Sequence, residues 1–352
     1  MIELLHKDAC ALLKQIIAIP SPSCDEGQVC SYISDWLNSR GYRVEREANN
    51  IWVKSVIDES LPVILLNSHI DTILPSSGWN YDPFIPFEDE SKITGLGSND
   101  AGASIVSLVA AFILLDRLKD RKYNIVLALT AEGEIWGKGG IELVYDRLGR
   151  IDLAIVGEPT SMKIAVCERG LLVLDCNSNG TAAHVSNRNG DNAILHAIAD
   201  IEKLRKLNFE KVSAYLGGVQ LEVTQIQGGT LHFMTPDRCN FVVDIRINEL
   251  YSHEEIVELI SREIKSEIKP RSLRLKSTIF DENHPLIFQA KNLGIETTGS
   301  GSISDMALIP CPAVKIGPGD TSRSSKPDEY VLKDEIKHGI TMYYNLLKDF
   351  SF

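Results

Sequence analysis

Histidine and carboxylate side chains follow apolar segments of this sequence at the points where those segments end. His69 and Asp71 follow the apolar run Pro62–Leu66, separated from it by Asn67 and Ser68. Their i, i+2 spacing places both side chains on one face of an extended chain. A metal-bound imidazole often has its second nitrogen oriented by a carboxylate, and this pair has the residue types for that arrangement. The alternative interpretation is that this His and Asp lie in an ordinary turn after a strand and bind no metal.

Further carboxylates stand where a buried strand or an apolar helix meets a loop: Asp100, Glu132, Glu134 and Glu158. Each has a simpler interpretation, Asp100 as a helix N-cap and the others as solvated loop residues. Their recurrence after separate strands favours one shared site, because open α/β sheets bind ligands at the carboxyl ends of their strands. An imidazole with several carboxylates and no thiolate is a ligand set for zinc, manganese or cobalt.

The segments that must position these residues alternate between strand and helix patterns, which predicts an α/β domain. The predicted strands are Tyr42–Glu45, Ile51–Val56, Pro62–Leu66, Asn124–Thr130, Leu153–Val156 and Ala313–Ile316. The predicted helices are Ile2–Ile19, Asp25–Arg40, Ala101–Leu118 and Lys333–Lys348.

The pattern changes after about Cys167 and returns near Pro285. Between them we predict the strands Leu171–Asn177, Val219–Gln225 and Phe241–Arg246, with the helices Asn192–Leu207 and Ser252–Ile268. The sequence therefore predicts a domain formed by residues 1–168 and 281–352, with an α+β domain inserted at residues 169–280.

Charge and composition restrict the function. The chain of 352 residues has a net charge of −12, which disfavours binding to nucleic acid or to an anionic membrane surface. The most apolar stretch, Ala103–Leu115, is shorter than the roughly 20 residues needed to span a bilayer. The N-terminus lacks the pattern of a secretory signal, and the 7 cysteines show no C-x-x-C pair. We expect reduced thiols and a cytoplasmic location.

Short motifs occur along nearly the whole chain in an order that resembles the M20 family of metallopeptidases and deacylases. They are SHID (68–71), GLGSNDAGAS (95–104), TAEGE (130–134), VGEPT (156–160), GTAAH (180–184), VVDIR (242–246), Ser304-Asp305 and IGPGD (316–320). The resemblance looks closest to the acetylornithine deacetylase-like branch. It implies a catalytic α/β domain with a mixed, zinc-peptidase-like sheet and an inserted lid and dimerisation domain.

The resemblance also implies roles for individual residues. His69, Asp100 and Glu158 match the ligands of a first metal, and Asp100 also bridges to a second metal. Glu134 matches a ligand of that second metal, and Asp71 matches the acid that orients the metal-bound histidine.

Two residues of the inserted segment match family residues that act on the substrate. His184 matches a residue that reaches across the dimer interface to stabilise the oxyanion, and Arg246 matches an arginine that holds a substrate carboxylate. The resemblance thus implies a homodimer through the inserted domain. It also implies that the substrate is a small N-acyl amino acid such as N-acetylornithine or N-acetyl- or N-succinylcitrulline.

The sequence departs from the family pattern at three positions. Gly133 stands where the family has the glutamate that acts as general base, and Ser325 stands where the related branch has a histidine ligand of the second metal. Phe233 matches a position that normally offers an asparagine to the reacting carbonyl. We therefore expect one tightly bound ion, zinc or else cobalt or manganese, and a weakened second site.

These departures leave three interpretations open. The chain is a working deacylase in which Glu132 or a substrate group replaces the base, a degenerate homologue that keeps fold and dimerisation, or a protein that binds an acylated amino acid through Arg246. The chemistry at positions 133 and 325 favours impaired hydrolysis, because general acid–base catalysis typically contributes about 10²- to 10⁴-fold.

Overall fold

The computed structural model describes residues 1–352, which form two compact units. The first unit consists of Met1–Val166, Phe280–Thr298 and Ser304–Phe352, and the second consists of Cys167–Ile279 and Gly299–Ile303.

The amino-terminal part of the first unit alternates between helices and strands. Its helices are α1 (Ile2–Ile17), α2 (Gly27–Asn38), α3 (Ala103–Asp116) and α4 (Ile141–Leu148). Its strands are β1 (Glu45–Glu47), β2 (Asn50–Ser55), β3 (Val63–His69), β4 (Phe87–Glu88), β5 (Lys92–Thr94), β6 (Asn124–Thr130) and β7 (Leu153–Val156), and β8 (Ile164–Glu168) continues from this unit into the second. An irregular helical turn, Ser98–Gly102, precedes α3.

The second unit is an antiparallel sheet with two helices. Its strands are β9 (Gly170–Asn179), β10 (Ala183–His184), β11 (Gln220–Gly228), β12 (Met234–Thr235), β13 (Arg238–Ile247), β14 (Glu267–Pro270) and β15 (Thr278–Ile279), and its helices are α5 (Ala193–Leu204) and α6 (His253–Glu263). The main sheet has the order β11-β13-β9-β14. Alternate residues of β9 and β13 are buried, as expected for a sheet with one face covered. Residues such as Leu174, Phe241, Ala197 and Ile256 join this face to both helices in one core.

The carboxyl-terminal part of the chain completes the first unit. It contains α7 (Pro285–Asn292), β17 (Ala313–Lys315), β18 (Tyr330–Leu332) and α8 (Lys333–Leu347), while β16 (Thr297–Ser300) continues from this unit into the second. The strand order in the large sheet, up to the strand that continues into the second unit, is β1-β2-β6-β3-β7-β17-β8. Neighbours from β6 to β17 are parallel and the remaining pairs are antiparallel. The prediction of an α/β fold with a mixed sheet is confirmed.

Burial explains why the apolar segments take these positions. All residues of β6 and β7 are buried, which fits strands covered on both faces of a parallel sheet. The helix from Ser98 to Asp116 is long and apolar enough to cross a membrane, but 94% of its apolar window is buried inside the protein. It is therefore the core helix of the first unit.

Two predicted elements differ from the structure. The helix predicted at Ser252–Ile268 ends at Glu263, and Ile268 belongs to strand β14. The carboxylate of Asp200 accepts hydrogen bonds from the backbone N–H groups of Lys265 (3.0 Å) and Ser266 (2.7 Å), which stops the helix there. The strand predicted at Tyr42–Glu45 is instead Glu45–Glu47, because the backbone N–H of Tyr42 donates to the carbonyl of Leu37 in α2 at 3.2 Å and so belongs to the helix end.

Candidate metal centre

His69 is the last residue of β3, at the carboxyl edge of the parallel strands. The register pairs His69 with Thr130 on β6, so the loop after β6 lies beside it. Its ring Nε2 lies 3.4 Å from Oδ1 of Asp100 and 3.7 Å from Oε1 of Glu158. His69, Asp100 and Glu134 each offer a ligand atom, and these atoms lie within 4.8 Å of one another. The structure thus brings together all the sequence-predicted ligands around one imidazole.

Asp71 lies on the opposite side of the His69 ring from Asp100. Nδ1 of His69 is 3.0 Å from the carbonyl oxygen of Asp71 and 3.3 Å from its Oδ1. The same carboxylate accepts hydrogen bonds from the backbone N–H groups of Gly133 (2.7 Å) and Glu134 (3.0 Å) and from the hydroxyl of Ser23 (2.6 Å). Asp71 therefore fixes both the orientation of the imidazole and the loop that contains Glu134.

Asp100 is positioned by hydrogen bonds to its backbone, and one of its carboxylate oxygens makes no hydrogen bond. Oε1 of Glu329 accepts hydrogen bonds from the backbone N–H groups of Asn99 (2.8 Å) and Asp100 (2.9 Å). The buried Oδ1 of Asp100 makes no hydrogen bond. A buried, unsatisfied carboxylate oxygen costs free energy unless a cation or donor approaches it.

The electrostatics of the centre are those of a crowded acidic site. Burial raises the pKa of Glu134 to about 8, and burial followed by the charge of Asp100 raises that of Glu158 to about 8. Burial also opposes ionisation of Asp100, but His69 outweighs it and the pKa of Asp100 is lowered. Burial disfavours the charged form of His69, yet Asp100 and Asp71 raise its pKa well above the usual value. The protonated His69 is thus the nearest positive charge that stabilises the ionised forms of Asp100, Glu134 and Glu158.

This donor set fits a divalent metal ion. Three carboxylates and one imidazole converge, an oxygen of Asp100 makes no hydrogen bond, and the carboxylates repel one another without a cation. Nitrogen and oxygen donors of this kind suit zinc, manganese or cobalt.

Glu132, a candidate general base from the sequence, directs its carboxylate toward Gly137 and Gly139 in the loop after β6. Its backbone has a φ of 56°, and its carboxylate accepts a hydrogen bond from the N–H of Gly139 at 2.9 Å. A Cβ atom added to Gly139 would lie 2.2 Å from Oε1 of Glu132, and one added to Gly137 would lie 1.8 Å from Oε2. The carboxylate is therefore enclosed by this glycine-rich turn.

Gly133 and Ser325, two of the three departures from the family pattern, differ in their surroundings. Gly133 is packed against the His69 ring, whereas Ser325 is exposed and has a φ of 60°. The neighbouring hydroxyl of Ser324 accepts a hydrogen bond from the side-chain amide of Asn99 at 3.1 Å.

His184 and Arg246 both lie in the second unit. His184 is exposed, its Nδ1 lies 2.7 Å from the hydroxyl of Ser186, and its ring lies 5.7 Å from that of Phe233. The guanidinium of Arg246 makes a two-pronged contact with Asp244, through Nε at 2.7 Å and a terminal nitrogen at 3.1 Å. Phe233, which the resemblance matches to the family asparagine, is 39% exposed.

Comparison with known proteins identifies the family. The model for Peptidase family M20/M25/M40 matches residues 65–349, which include every residue of the acidic centre. The chain belongs to this family. Its curated M20 relatives include the succinyl-diaminopimelate desuccinylases of Rickettsia bellii and Rickettsia felis. Each is 26% identical to this chain and aligns with 96% of it, covering 95% and 98% of the respective relative.

Solved structures with the same fold include two bacterial peptidases. The aminopeptidase PepT from Bacillus cereus superposes with a TM-score of 0.79 at 16% identity, covering 97% of this chain and 98% of that one. The Bacillus subtilis YXEP protein, described as a dinuclear metal binding peptidase from the M20 family, gives 0.76 at 16% identity, covering 98% of each chain. This likeness shows the fold alone.

Three residues of this M20 centre were not identified as site residues from the sequence. Ser23 stands in a Pro-Ser-Pro-Ser segment that indicated only the end of a helix, and Glu329 gave no signal at all. Lys315 lies in a strand that ends near the site and is 1% exposed. Its charge acts to lower the pKa of Asp100 and of Glu158, against the larger effect of burial.

Proposed function

We propose that this chain is a metal-dependent amidohydrolase that removes an acyl group from a small N-acyl amino acid. One divalent ion would be held by His69, Asp100, Glu134 and Glu158. The observation that carries this proposal is the buried Oδ1 of Asp100, which makes no hydrogen bond and lies 3.4 Å from the ring Nε2 of His69. Membership of the M20 family supports the same reaction class.

An ion bound there would supply Lewis-acid chemistry, polarising an amide carbonyl and lowering the pKa of a water. The residues of this chain supply the positioning. Asp71 orients His69 through Nδ1, and Glu329 fixes the backbone of Asp100. These contacts leave Nε2 of His69 and Oδ1 of Asp100 3.4 Å apart, close enough for one ion to bind both atoms.

The proposed turnover is slow, because no free carboxylate stands in the position of the general base. Gly133 has no side chain, and the carboxylate of Glu132 is engaged with Gly139. General acid–base catalysis typically contributes about 10²- to 10⁴-fold, so roughly 3 to 5 kcal/mol of barrier lowering is absent.

We propose an acylated amino acid with a free carboxylate as the substrate. Arg246 has the planar fork that pairs with a carboxylate, and it already makes such a pair with Asp244. A substrate carboxylate would replace Asp244 or share the guanidinium with it. The succinyl-diaminopimelate desuccinylases among the relatives add succinylated substrates to acetylornithine and acetylcitrulline as compounds to test.

We propose a homodimer formed through the second unit, with His184 acting across the interface. Leu195 and Ile198 on α5 are 61% and 46% exposed, and Ile226 on β11 is 53% exposed. β11 is an edge strand whose second side has no strand partner in this sheet. Apolar side chains beside an open edge strand are suited to pairing with a second copy.

The second candidate function is binding without hydrolysis. The close approach of Gly133 to His69 favours it, because a carboxylate side chain has no room there. Such a protein binds the ion and the acylated amino acid, and releases both unchanged.

The experiment that tests the proposed function compares metal-loaded wild type with Asp100→Asn. Acetylornithine, acetylcitrulline and succinylated diaminopimelate are incubated with each protein, and the free amine is quantified. We expect slow, metal-dependent release that Asp100→Asn abolishes, whereas the matched exposed variant Glu202→Gln retains it. Binding of the compounds without release would support the second function, and neither binding nor release would contradict both.

A further inference from the structure

The loop after β6 packs on His69 through Gly133. A Cβ atom added to Gly133 would lie 2.3 Å from Cβ of His69 and 2.6 Å from its Cγ. Non-bonded carbon atoms are most stable about 3.5 to 4.0 Å apart, so atoms at either of these distances would repel each other strongly. This contact therefore exists only because residue 133 has no side chain.

Hydrogen bonds to one carboxylate join the loop to the imidazole. Asp71 accepts from the backbone N–H groups of Gly133 at 2.7 Å and Glu134 at 3.0 Å, and its Oδ1 lies 3.3 Å from Nδ1 of His69. Any displacement of the loop away from His69 must therefore break these bonds in a buried environment.

The other side of the loop is fixed by residues of the amino-terminal part of the chain. The side chain of Asn50 accepts from the N–H of Ala131 at 2.9 Å and donates to the carbonyl of Gly139 at 2.7 Å. The fully buried Glu26 accepts from the N–H of Glu132 at 3.1 Å. The loop is held between these groups and Asp71, so a side chain at position 133 cannot be accommodated by a small shift.

We propose that Gly133 is a positioning residue for the metal centre. By letting the loop approach His69, it places the carboxylate of Glu134 in the same ligand group as His69 and Asp100. A glutamate that the family resemblance assigns to a second metal thus becomes a ligand of a single shared ion. This inference rests on the proposed metal-binding function.

The test is a double-mutant cycle on metal affinity, independent of turnover. Co²⁺ affinity is measured by competition with a chelating dye for the intact wild type, Gly133→Ala, Glu134→Gln and the double variant. We expect each single change to weaken binding by about 10-fold or more, as outer-sphere and ligand changes do. The double variant should lose less affinity than the sum of the two single losses, because part of the effect of Gly133→Ala is the displacement of Glu134. The visible spectrum of bound Co²⁺ should change in both single variants, because both alter the ligand group.

Gly301→Ala is the matched control. A Cβ atom at Gly301 would meet nothing within 4 Å, so this variant should bind Co²⁺ as the wild type does. Wild-type affinity and spectrum in Gly133→Ala, or effects that add in the double variant, would overturn the inference. Absence of Co²⁺ binding by the wild type would instead contradict the proposed function.

A second pair of variants keeps the cycle informative if Gly133→Ala does not fold by circular dichroism. Asp71→Asn replaces one acceptor oxygen with a donor and so loosens the loop from the opposite side. Because Asp71 also contacts Nδ1 of His69, part of its loss should be independent of Glu134, but the combined loss with Glu134→Gln should still be smaller than the sum of the two single losses. Additive losses of affinity would count against the role of the loop position.

Discussion

The carboxylate of Glu329 accepts a hydrogen bond from the backbone N–H of Asp100 at 2.9 Å. Burial raises the pKa of Glu329 to about 8, although its backbone hydrogen bonds act in the opposite direction. An acid that follows β17 in the chain thus positions a metal ligand located before α3. A side chain that touches no substrate can determine where the ligand oxygen points.

Removing this acceptor should weaken metal binding. We expect Glu329→Ala to lose about 10- to 100-fold in metal affinity, since two buried N–H groups lose their acceptor and Asp100 is released. Glu329→Gln keeps an acceptor oxygen and should restore most of the affinity. Equal losses in both variants, measured by competition with a chelating dye, would contradict a purely positional role.

Glu132 should matter more for stability than for catalysis. Glu132→Ala removes the acceptor for the N–H of Gly139 and should cost about 1 to 3 kcal/mol in the free energy of unfolding by urea. Glu132→Gln keeps the acceptor oxygen and should change both stability and turnover little. If Glu132→Gln folds normally but loses all turnover, Glu132 is the general base after all.

The dimer should depend on the exposed apolar face of α5. We expect light scattering to give twice the chain mass of 39.0 kDa for the wild type and a single chain mass for Leu195→Glu. Leu4→Glu is the matched control, because Leu4 is 64% exposed on α1 in the first unit. A wild type that is monomeric at micromolar concentration, or a Leu195→Glu dimer, would contradict this interface.

Arg246 should contribute to the affinity for the acylated amino acid. Replacing it with Met removes charged hydrogen bonds worth about 1.5 to 3 kcal/mol, so binding measured by calorimetry should weaken about 10- to 100-fold. Arg271→Met is a close control, because Arg271 makes a similar two-pronged contact with Asp175 in the same unit. Equal effects of the two changes would show that Arg246 acts only through folding.

The sequence correctly predicted those strands that are marked by a continuous run of apolar residues. The apolar runs ending at Thr130 and Val156 became parallel strands with those ends, because strands covered on both faces need continuous apolar residues. The helix ending at Ile268 was wrong, because Ile260, Ile264 and Ile268 have helical spacing while Asp200, distant in sequence, stops the helix.

The candidate centre was predictable by residue type but not by geometry. The strand ends identified His69 and its acidic neighbours, whereas the role of Glu329 depends on a contact across 229 residues of sequence. The approach of Gly133 to His69 was also invisible, because an absent side chain gives no signal in a single sequence. Both the contact of Glu329 with Asp100 and the approach of Gly133 to His69 depend on tertiary packing, which a single sequence does not show.

The most direct test of this account is the metal content of the purified chain after equilibrium dialysis against zinc, measured by elemental analysis. We predict one tightly held ion per chain, none for His69→Ala, and one for Ser325→Ala, since Ser325 is exposed and has no place in the ligand group. Two tightly held ions per wild-type chain, or an ion retained by His69→Ala, would contradict the single-ion centre.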